Sequence, residues 1–309
     1  MTILFYSEVD DPEPWRLALA RELPSMEFKV WPDTGPLERV SYALVWKPKP
    51  GLLNALPGLK AILSLGAGVD HLLHDPQLPG GVPIVRILDA GFANQMSEYA
   101  LYGVLYFHRR MGDYMRQQRR GQWRQLPALT ASECSVGVMG LGILGTDFAH
   151  KLMGLGYRVL GWSRTPKSIP GVLTFSGPGG FEPFLAGLRV LVNYLPLTPE
   201  TRGILNARTF ATLPRGAAIV NIARGAHLVE HDLLAALDSG HLSGALLDVF
   251  QEEPLPSAHA SWQHPKIVIT PHIAGQAIAE LMVSQVADNI RRIERGEHPL
   301  GIVDPARGY

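Results

Sequence analysis

One short stretch limits the possible fold more than any other part of this 309-residue chain. Residues 136–139 form an apolar segment typical of a buried strand, and residues 140–145 then read Gly-Leu-Gly-Ile-Leu-Gly. Apolar residues at helical spacing follow, namely Phe148, Ala149 and Leu152. A strand, a tight glycine turn and a helix in this order are typical of the first βαβ unit of a doubly wound α/β sheet.

The three glycines of this turn predict a dinucleotide site. Gly140 makes the tight turn, Gly142 lets a pyrophosphate approach the backbone, and Gly145 lets the helix pack closely on the strand. The first helical residues, Ile143 and Leu144, offer N–H groups and a partial positive charge to the phosphates. Glycine-rich turns are also common in loops, so the interpretation depends on the strand before this turn and the helix after it.

Length and pattern predict two Rossmann-like α/β domains. A chain of this length with 46% apolar residues can bury two cores. Strand and helix patterns alternate over residues 1–95 and predict a flavodoxin-like substrate domain with a parallel sheet. A second series over residues 96–275 predicts a dinucleotide-binding domain with a six-stranded, doubly wound parallel sheet. We expect residues 276–309, a helix and a tail, to return to the first domain, so that the dinucleotide domain is inserted in it.

The longest helical pattern covers residues 94–120. Its wide apolar face includes Tyr99, Val104 and Phe107. Such a helix links two domains or lies in a subunit interface, so we expect a homodimer. The arginines between Arg109 and Arg124 are interpreted as a solvated or subunit-facing surface.

Charge and cysteine content exclude several classes of protein. Lys+Arg and Asp+Glu both number 28, and no basic run is present, so we expect neither a nucleic-acid partner nor a membrane partner. The single cysteine, Cys134, excludes an intrachain disulfide. Histidines such as His227, His231 and His241 lack ligand spacing, so no metal is predicted. Without a signal sequence or a long apolar run, the sequence predicts a cytoplasmic protein.

The end of the second strand of the dinucleotide domain predicts which cofactor binds. In an NAD-specific fold an acidic residue at this position binds the ribose hydroxyls. Here residues 157–162 are followed by Ser163, Arg164 and Thr165, and no Asp or Glu is present. The guanidinium of Arg164 can bind a 2′-phosphate through a charge-assisted pair worth about 1.5 to 3 kcal/mol. We therefore expect NADPH to be preferred over NADH by about one to two decades.

Six motifs, in order along the chain, resemble the D-isomer-specific 2-hydroxyacid dehydrogenases. They are GAGVD at 66–70, the glycine turn at 140–145, LPLTPET at 195–201, VNIARG at 220–225, LDVF at 247–250 with Glu253-Pro254, and TPHIAG at 270–275. Two further stretches, LVWKP at 44–48 and ARGY at 306–309, are similar to the branch of this family that reduces glyoxylate and hydroxypyruvate. The resemblance covers nearly the whole chain.

The chemistry of a 2-oxo acid reductase needs a carboxylate-binding cation, a proton donor and a placed hydride. Arg224 follows a predicted strand, so its planar fork is available at the edge of the sheet where ligands bind. The resemblance implies that His272 is the acid/base residue and that Glu253 is its partner, because a carboxylate favours the protonated imidazolium. Spacing alone leaves open whether Glu252 or Glu253 points inward.

Further candidates border the substrate and the cofactor. The loop at Gly68 and Val69 offers successive backbone N–H groups that can bind the substrate carboxylate, although a simple turn at the end of a strand is the alternative. The resemblance implies that Trp46 and Lys47 border the substrate. It also implies cofactor contacts by Pro196, Thr198, Ala223 and Asp248, the last to the nicotinamide carboxamide.

The predicted function is the NADPH-preferring reduction of small 2-oxo acids, glyoxylate to glycolate and hydroxypyruvate to D-glycerate. Another dehydrogenase of the family, of the D-lactate or phosphoglycerate type, would use the same residues. A co-repressor-like protein that senses a nicotinamide nucleotide is a third hypothesis, which the lack of a basic patch disfavours. A turnover assay discriminates between enzyme and sensor.

Overall fold

The computed structural model describes residues 1–88 and 91–308. The chain divides into two compact units, of which unit 1 is Met1–Phe92 with Gln276–Tyr309 and unit 2 is Ala93–Gly275. Each unit has its own parallel sheet and its own apolar core. Within the part of the chain that the structure describes, no helix is both long enough and apolar enough to cross a membrane.

Strands and helices alternate through both units. The strands are β1 (Thr2–Tyr6), β2 (Glu27–Val30), β3 (Val40–Val45), β4 (Ala61–Ser64), β5 (Ile84–Val85), β6 (Ser135–Met139), β7 (Arg158–Ser163), β8 (Leu173–Ser176), β9 (Val190–Asn193), β10 (Ala217–Asn221), β11 (Leu242–Leu247) and β12 (Ile267–Ile269). The α-helices are α1 (Pro12–Glu22), α2 (Asp70–Leu73), α3 (Phe92–His108), α4 (Met111–Arg119), α5 (Ile143–Gly154), α6 (Phe181–Leu185), α7 (Ala207–Thr212), α8 (Glu230–Asp238) and α9 (Ala279–Glu294).

Unit 1 carries a five-stranded sheet in the order β2-β1-β3-β4-β5, with every pairing parallel. This is the strand order of flavodoxin-like folds. Strands β1, β3 and β4 are buried along their whole length, as expected for apolar strands in a parallel sheet. Helix α9 also belongs to this unit and buries Met282, Val286 and Ile290, which are spaced four residues apart on one helical face.

Unit 2 carries a seven-stranded parallel sheet in the order β12-β11-β10-β9-β6-β7-β8. This order confirms the predicted doubly wound α/β class, with the change of winding direction between β6 and β9. The predicted number of six strands is wrong, because β8 is an additional edge strand. Its pattern is weak: the strand is only half-buried and lies between Gly171 and Gly177, both with positive φ.

Two predicted helix boundaries are also wrong. The single helix expected over residues 94–120 is divided into α3 and α4, because Arg110 adopts the left-handed conformation with φ of 56°. The Arg110 side chain then donates to Asp113 in the first turn of α4, at 2.8 Å. Helix α9 begins at Ala279 instead of residue 276, because Ile278 still has extended backbone angles.

Candidate active site

The glycine turn between β6 and α5 contains two glycines at which the packing leaves no room for a side chain, Gly140 and Gly145, and one at which it does, Gly142. Gly140 has φ of 109°, and a Cβ there would lie 2.9 Å from the Tyr194 carbonyl carbon. A Cβ on Gly145 would lie 1.9 Å from the Gly140 carbonyl oxygen, which no side chain permits. At Gly142, by contrast, no atom of the described residues, apart from Gly142 and its two chain neighbours, lies within 4 Å of a Cβ position. Open space therefore lies against the backbone at Gly142.

This open space adjoins the N-terminus of α5, a helix of 12 residues. Gly142 is the N-cap residue, and none of the described side chains caps the first turn. The N–H groups of Ile143 and Leu144 are among the four that a helix leaves without an intrahelical partner. An uncapped helix end beside open space fits the pyrophosphate of a dinucleotide.

The loop after β7 holds the two residues predicted to select the cofactor. The Ser163 hydroxyl donates to the Thr165 carbonyl at 2.8 Å, so this side chain shapes the turn. Arg164 is exposed at the tip. A hydrogen bond from Thr198, with a smaller effect of the Arg164 charge, lowers the pKa of Glu200. The loop after β9 thus places a carboxylate within electrostatic reach of Arg164.

The loop after β9 also carries Pro196 and Thr198, both predicted to contact the cofactor. The Thr201 hydroxyl closes this turn: it donates to the Pro196 carbonyl at 2.8 Å and accepts from the Thr198 N–H at 2.8 Å. Because β9 is the neighbour of β6 in the sheet, this turn and the glycine turn follow the carboxyl ends of adjacent strands.

The loop after β10 holds Ala223, which is buried, and Arg224, which is half-buried. The Arg224 Nη1 donates to the Ala223 carbonyl at 2.8 Å. A Cβ on the next residue, Gly225, would lie 1.9 Å from the carbonyl carbon of Phe250. Glycine therefore allows the loops after β10 and β11 to touch backbone to backbone, and this contact positions Arg224 near the segment that carries Glu253.

Glu253 and His272 form the central pair of the site. The His272 Nδ1 lies 2.9 Å from the Glu253 Oε2, and the other carboxylate oxygen accepts from the Phe250 N–H at 3.1 Å. Both side chains are about a quarter exposed, at 27% and 22%. Glu252, the alternative that spacing left open, is exposed. Because the carboxylate accepts from Nδ1–H, the Nε2 of His272 is the nitrogen that can exchange a proton with a substrate.

Asp248 holds the loop on which His272 lies. Its Oδ1 accepts from the Thr270 hydroxyl at 2.6 Å and the Ile273 N–H at 2.8 Å, and its Oδ2 accepts from the Ala274 N–H at 2.8 Å. Its carbonyl accepts from the His272 N–H at 2.8 Å. These bonds stabilise a left-handed backbone at His272, with φ of 57°, which a non-glycine residue adopts at an energetic cost. Asp248 is therefore a positioning residue for His272, and its contact with the nicotinamide stays a prediction.

A tyrosine extends this network beyond the loop. The Tyr99 hydroxyl hydrogen-bonds to the Thr270 hydroxyl, whose own proton goes to Asp248. Burial raises the pKa of Tyr99, so its hydroxyl stays protonated and can donate. The sequence places Tyr99 on an apolar helix face, and the TPHIAG motif that begins with Thr270 gives this residue no role of its own.

The unit 1 candidates lie after two paired strands, β3 and β4. The Trp46 ring packs on Gly66, where a Cβ would lie 2.5 Å from Cζ3, and its centroid lies 4.5 Å from that of His71. Lys47 has φ of 44°, and its Nζ lies 5.7 Å from the Trp46 ring centroid. The Val69 side chain is buried in the core, so only its backbone can contact a ligand.

Comparisons with known proteins agree with this geometry. The model of the D-isomer specific 2-hydroxyacid dehydrogenase NAD-binding domain matches residues 101–274. The chain is 44% identical to a glyoxylate/hydroxypyruvate reductase A of Yersinia enterocolitica, with all of both chains covered.

Two solved structures are similar over 100% of this chain and 99% of theirs. One is a D-isomer specific 2-hydroxyacid dehydrogenase from Xanthobacter autotrophicus in complex with NADPH and MES, with 44% identity and a TM-score of 0.95. The other is an NADPH-dependent glyoxylate/hydroxypyruvate reductase from Sinorhizobium meliloti in complex with NADP and sulfate, with 39% identity and a TM-score of 0.93. The resemblance inferred from the six motifs is confirmed, and the chain belongs to the D-isomer specific 2-hydroxyacid dehydrogenase family.

Proposed function

We propose that this protein is an NADPH-dependent reductase that converts glyoxylate to glycolate and hydroxypyruvate to D-glycerate. The observation that carries the proposal is the hydrogen-bonded pair of Glu253 and His272, in which the carboxylate orients the imidazole through Nδ1. The relatives named glyoxylate/hydroxypyruvate reductase support the choice of substrate within the family.

The residues of the site account for the chemistry of the reduction. NADPH, when bound, supplies the hydride for the carbonyl carbon. Arg224 binds the substrate carboxylate and polarises the carbonyl through its planar fork. The backbone N–H groups of Gly68 and Val69 remain predicted donors to a carboxylate. His272 donates the Nε2 proton to the developing alkoxide, and Glu253 stabilises the imidazolium through Nδ1–H.

The chain's own residues also support a preference for NADPH. The space at Gly142 and the uncapped N-terminus of α5 suit the pyrophosphate. Arg164, exposed beside Ser163, suits a 2′-phosphate, and no acidic residue follows β7 to repel it. NADH, which lacks this phosphate, is expected to bind more weakly.

A panel of 2-oxo acids with NADPH and NADH side by side tests the proposed function. We expect the highest kcat/KM with glyoxylate or hydroxypyruvate and NADPH. A preference for pyruvate or a phosphorylated hydroxyacid would indicate another dehydrogenase of the family. Binding of NADPH without turnover of any 2-oxo acid would indicate a sensor.

His272→Ala tests the central pair. We expect kcat to fall by at least about a hundredfold, the size of a general-acid contribution, while the Kd for NADPH is retained. His231→Ala is the matched control, because the His231 side chain is 86% exposed. Equal turnover in the two variants would contradict the role of His272.

We further propose a homodimer that works in the cytoplasm. Large apolar side chains are exposed on α3, on α4 and in the segment that follows: Tyr102 at 49%, Met115 at 47% and Trp123 at 101%. Aromatic residues and methionine are enriched in subunit interfaces. Light scattering should give twice the chain mass for the native protein and a lower mass for Trp123→Asp. The free, buried thiol of Cys134 suits a reducing compartment, which cell fractionation checks.

A further inference from the structure

Three buried polar side chains meet beneath the loops that follow β9 and β10. Asn193 and Asn221 are the last residues of these strands and are directly paired in the sheet register. His227 lies in the short helical turn after Arg224. All three are 0% exposed. The reaction described above uses none of them, and buried polar groups of this kind need complete hydrogen bonding to be tolerated.

The hydrogen bonds within this cluster determine one arrangement. The Leu195 N–H donates to the Asn193 Oδ1 at 3.0 Å, which fixes the orientation of this amide. The Asn193 Nδ2 then donates to the Asn221 Oδ1 and to the His227 Nδ1, both at 3.0 Å. Since Nδ1 accepts, the imidazole is neutral and carries its proton on Nε2, which lies 3.2 Å from the Pro196 carbonyl.

Each member of the cluster also binds the backbone of one of the two loops. The Asn221 Nδ2 donates to the Arg224 carbonyl at 3.0 Å. His227 binds the Pro196 carbonyl, the same oxygen that receives the Thr201 hydroxyl. The cluster therefore connects the turn of Pro196 and Thr198 with the backbone of Arg224.

We propose that His227 is a positioning residue for the cofactor. Its Nε2–H holds the Pro196 turn in the position at which that turn contacts NADPH, and its Nδ1, through Asn193 and Asn221, fixes the position of that turn relative to the Arg224 backbone. The proposal rests on the proposed function, because it assumes that the turn contacts NADPH. A leucine at this position would fill similar space but leave the Pro196 carbonyl with one donor fewer and the Asn193 amide with one acceptor fewer.

Three substitutions separate the two nitrogen atoms. His227→Leu removes both hydrogen bonds. His227→Gln places an amide nitrogen near the position of Nε2 and can still donate to Pro196. His227→Asn places an amide oxygen near the position of Nδ1 and can still accept from Asn193. The matched control is His241→Leu, because the His241 Nε2 also lies near backbone carbonyls, those of Phe210 and Leu213, directly before β11 at the opposite end of the sheet.

The measurements are KM for NADPH and kcat with glyoxylate, the Kd for NADPH and the melting temperature of each variant. For His227→Leu we expect the KM and Kd for NADPH to rise about tenfold, with kcat changed less than about threefold, as loss of a positioned hydrogen bond predicts. His227→Gln should recover most of the NADPH affinity. His227→Asn should recover thermal stability but not NADPH affinity. His241→Leu should lower the melting temperature and leave the KM for NADPH unchanged.

The outcomes distinguish this inference from the proposed function. If the native protein neither binds nor oxidises NADPH, the proposed function fails and this inference fails with it. If the native protein is an NADPH-dependent reductase but the folded His227→Leu variant retains its KM for NADPH, or His227→Asn retains it as fully as His227→Gln, only the positioning role is wrong. Recovery of NADPH affinity by Asn instead of Gln would also overturn it.

Discussion

The glycine turn and the His272 loop serve one site but are constructed in opposite ways. The turn between β6 and α5 has its shape because side chains are missing at Gly140 and Gly145. The loop after β12 has its shape because a buried carboxylate, Asp248, collects hydrogen bonds from three of its residues and its backbone carbonyl from a fourth. The first presents backbone N–H groups, and the second presents a side chain.

This difference decides how each element can fail. A turn that depends on the absence of Cβ atoms is sensitive to one added methyl group, but it has no network of side-chain hydrogen bonds that a mutation could disturb. A loop that depends on a buried carboxylate tolerates changes of volume poorly and changes of charge worse, because each N–H left without an acceptor costs free energy. We therefore expect added volume to affect the glycine turn most and lost hydrogen bonds to affect the His272 loop most.

The largest effect is expected within the glycine turn itself. Gly145→Ala places a methyl group 1.9 Å from the Gly140 carbonyl oxygen, so the free energy of unfolding should fall by about 4 kcal/mol or more. The methyl group of Gly142→Ala meets no described atom within 4 Å beyond its chain neighbours, so this variant should fold normally. Its Kd for NADPH should rise at least about tenfold, because the methyl group blocks the phosphate site. Thermal unfolding with and without NADPH measures both. Equal melting temperatures for the two variants would contradict the division of roles.

The second effect tests the His272 loop. Asp248→Asn leaves one acceptor oxygen where two were used, so an amide N–H group would face a donor. We expect the free energy of unfolding to fall by about 2 to 3 kcal/mol, the value of hydrogen bonds to a charged group. We expect kcat to fall by about a hundredfold, because the imidazole is displaced. Asp238→Asn, at a side chain 75% exposed, is the control and should change neither quantity.

The same contrast explains what could be predicted from the sequence. The glycine turn shows directly in the sequence, because spacing and residue type alone determine its geometry. The α/β class and the parallel strands followed from apolar runs, while β8 did not, because a half-buried edge strand has a weak pattern. The break at Arg110 depends on a left-handed residue that helical periodicity does not reveal.

Most supports of the catalytic side chains cannot be predicted from local sequence patterns. Spacing alone does not distinguish Glu252 from Glu253. The family resemblance selects Glu253, and the structure places its Oε2 2.9 Å from the His272 Nδ1. Tyr99 and Thr270 are 171 residues apart in the chain, so no local pattern connects them. The sequence presents His227 only as a histidine without metal-ligand spacing, although an Asn at the end of two successive strands indicates a buried polar cluster.

A third prediction extends the comparison to the loop after β7, where Arg164 is exposed and Ser163 is buried. Arg164→Ala together with Ser163→Asp removes the cation and introduces a carboxylate that repels a 2′-phosphate. We expect the ratio of kcat/KM for NADPH to that for NADH to fall by at least about tenfold. The melting temperature should fall as well, because Ser163 is buried and its hydrogen bond to the Thr165 carbonyl is lost. An unchanged cofactor ratio would show that Arg164 does not contact the phosphate.

The smallest expected effect concerns Glu200 in the loop after β9, whose negative charge partly offsets the positive charge of Arg164. Its pKa is lowered by the hydrogen bond from Thr198 and, less strongly, by Arg164, so its carboxylate is ionised at neutral pH and reduces the attraction of Arg164 for a phosphate. Glu200→Gln should therefore lower the KM for NADPH by about twofold and leave that for NADH unchanged. The difference should shrink at high ionic strength, since an exposed pair is screened, and should vanish as the pH falls through the lowered pKa, where the native carboxylate becomes neutral as well. An equal change for both cofactors would mean that the substitution alters the Thr198 turn itself. Glu200 would then stabilise that turn through its hydrogen bond and would not act through its charge on Arg164.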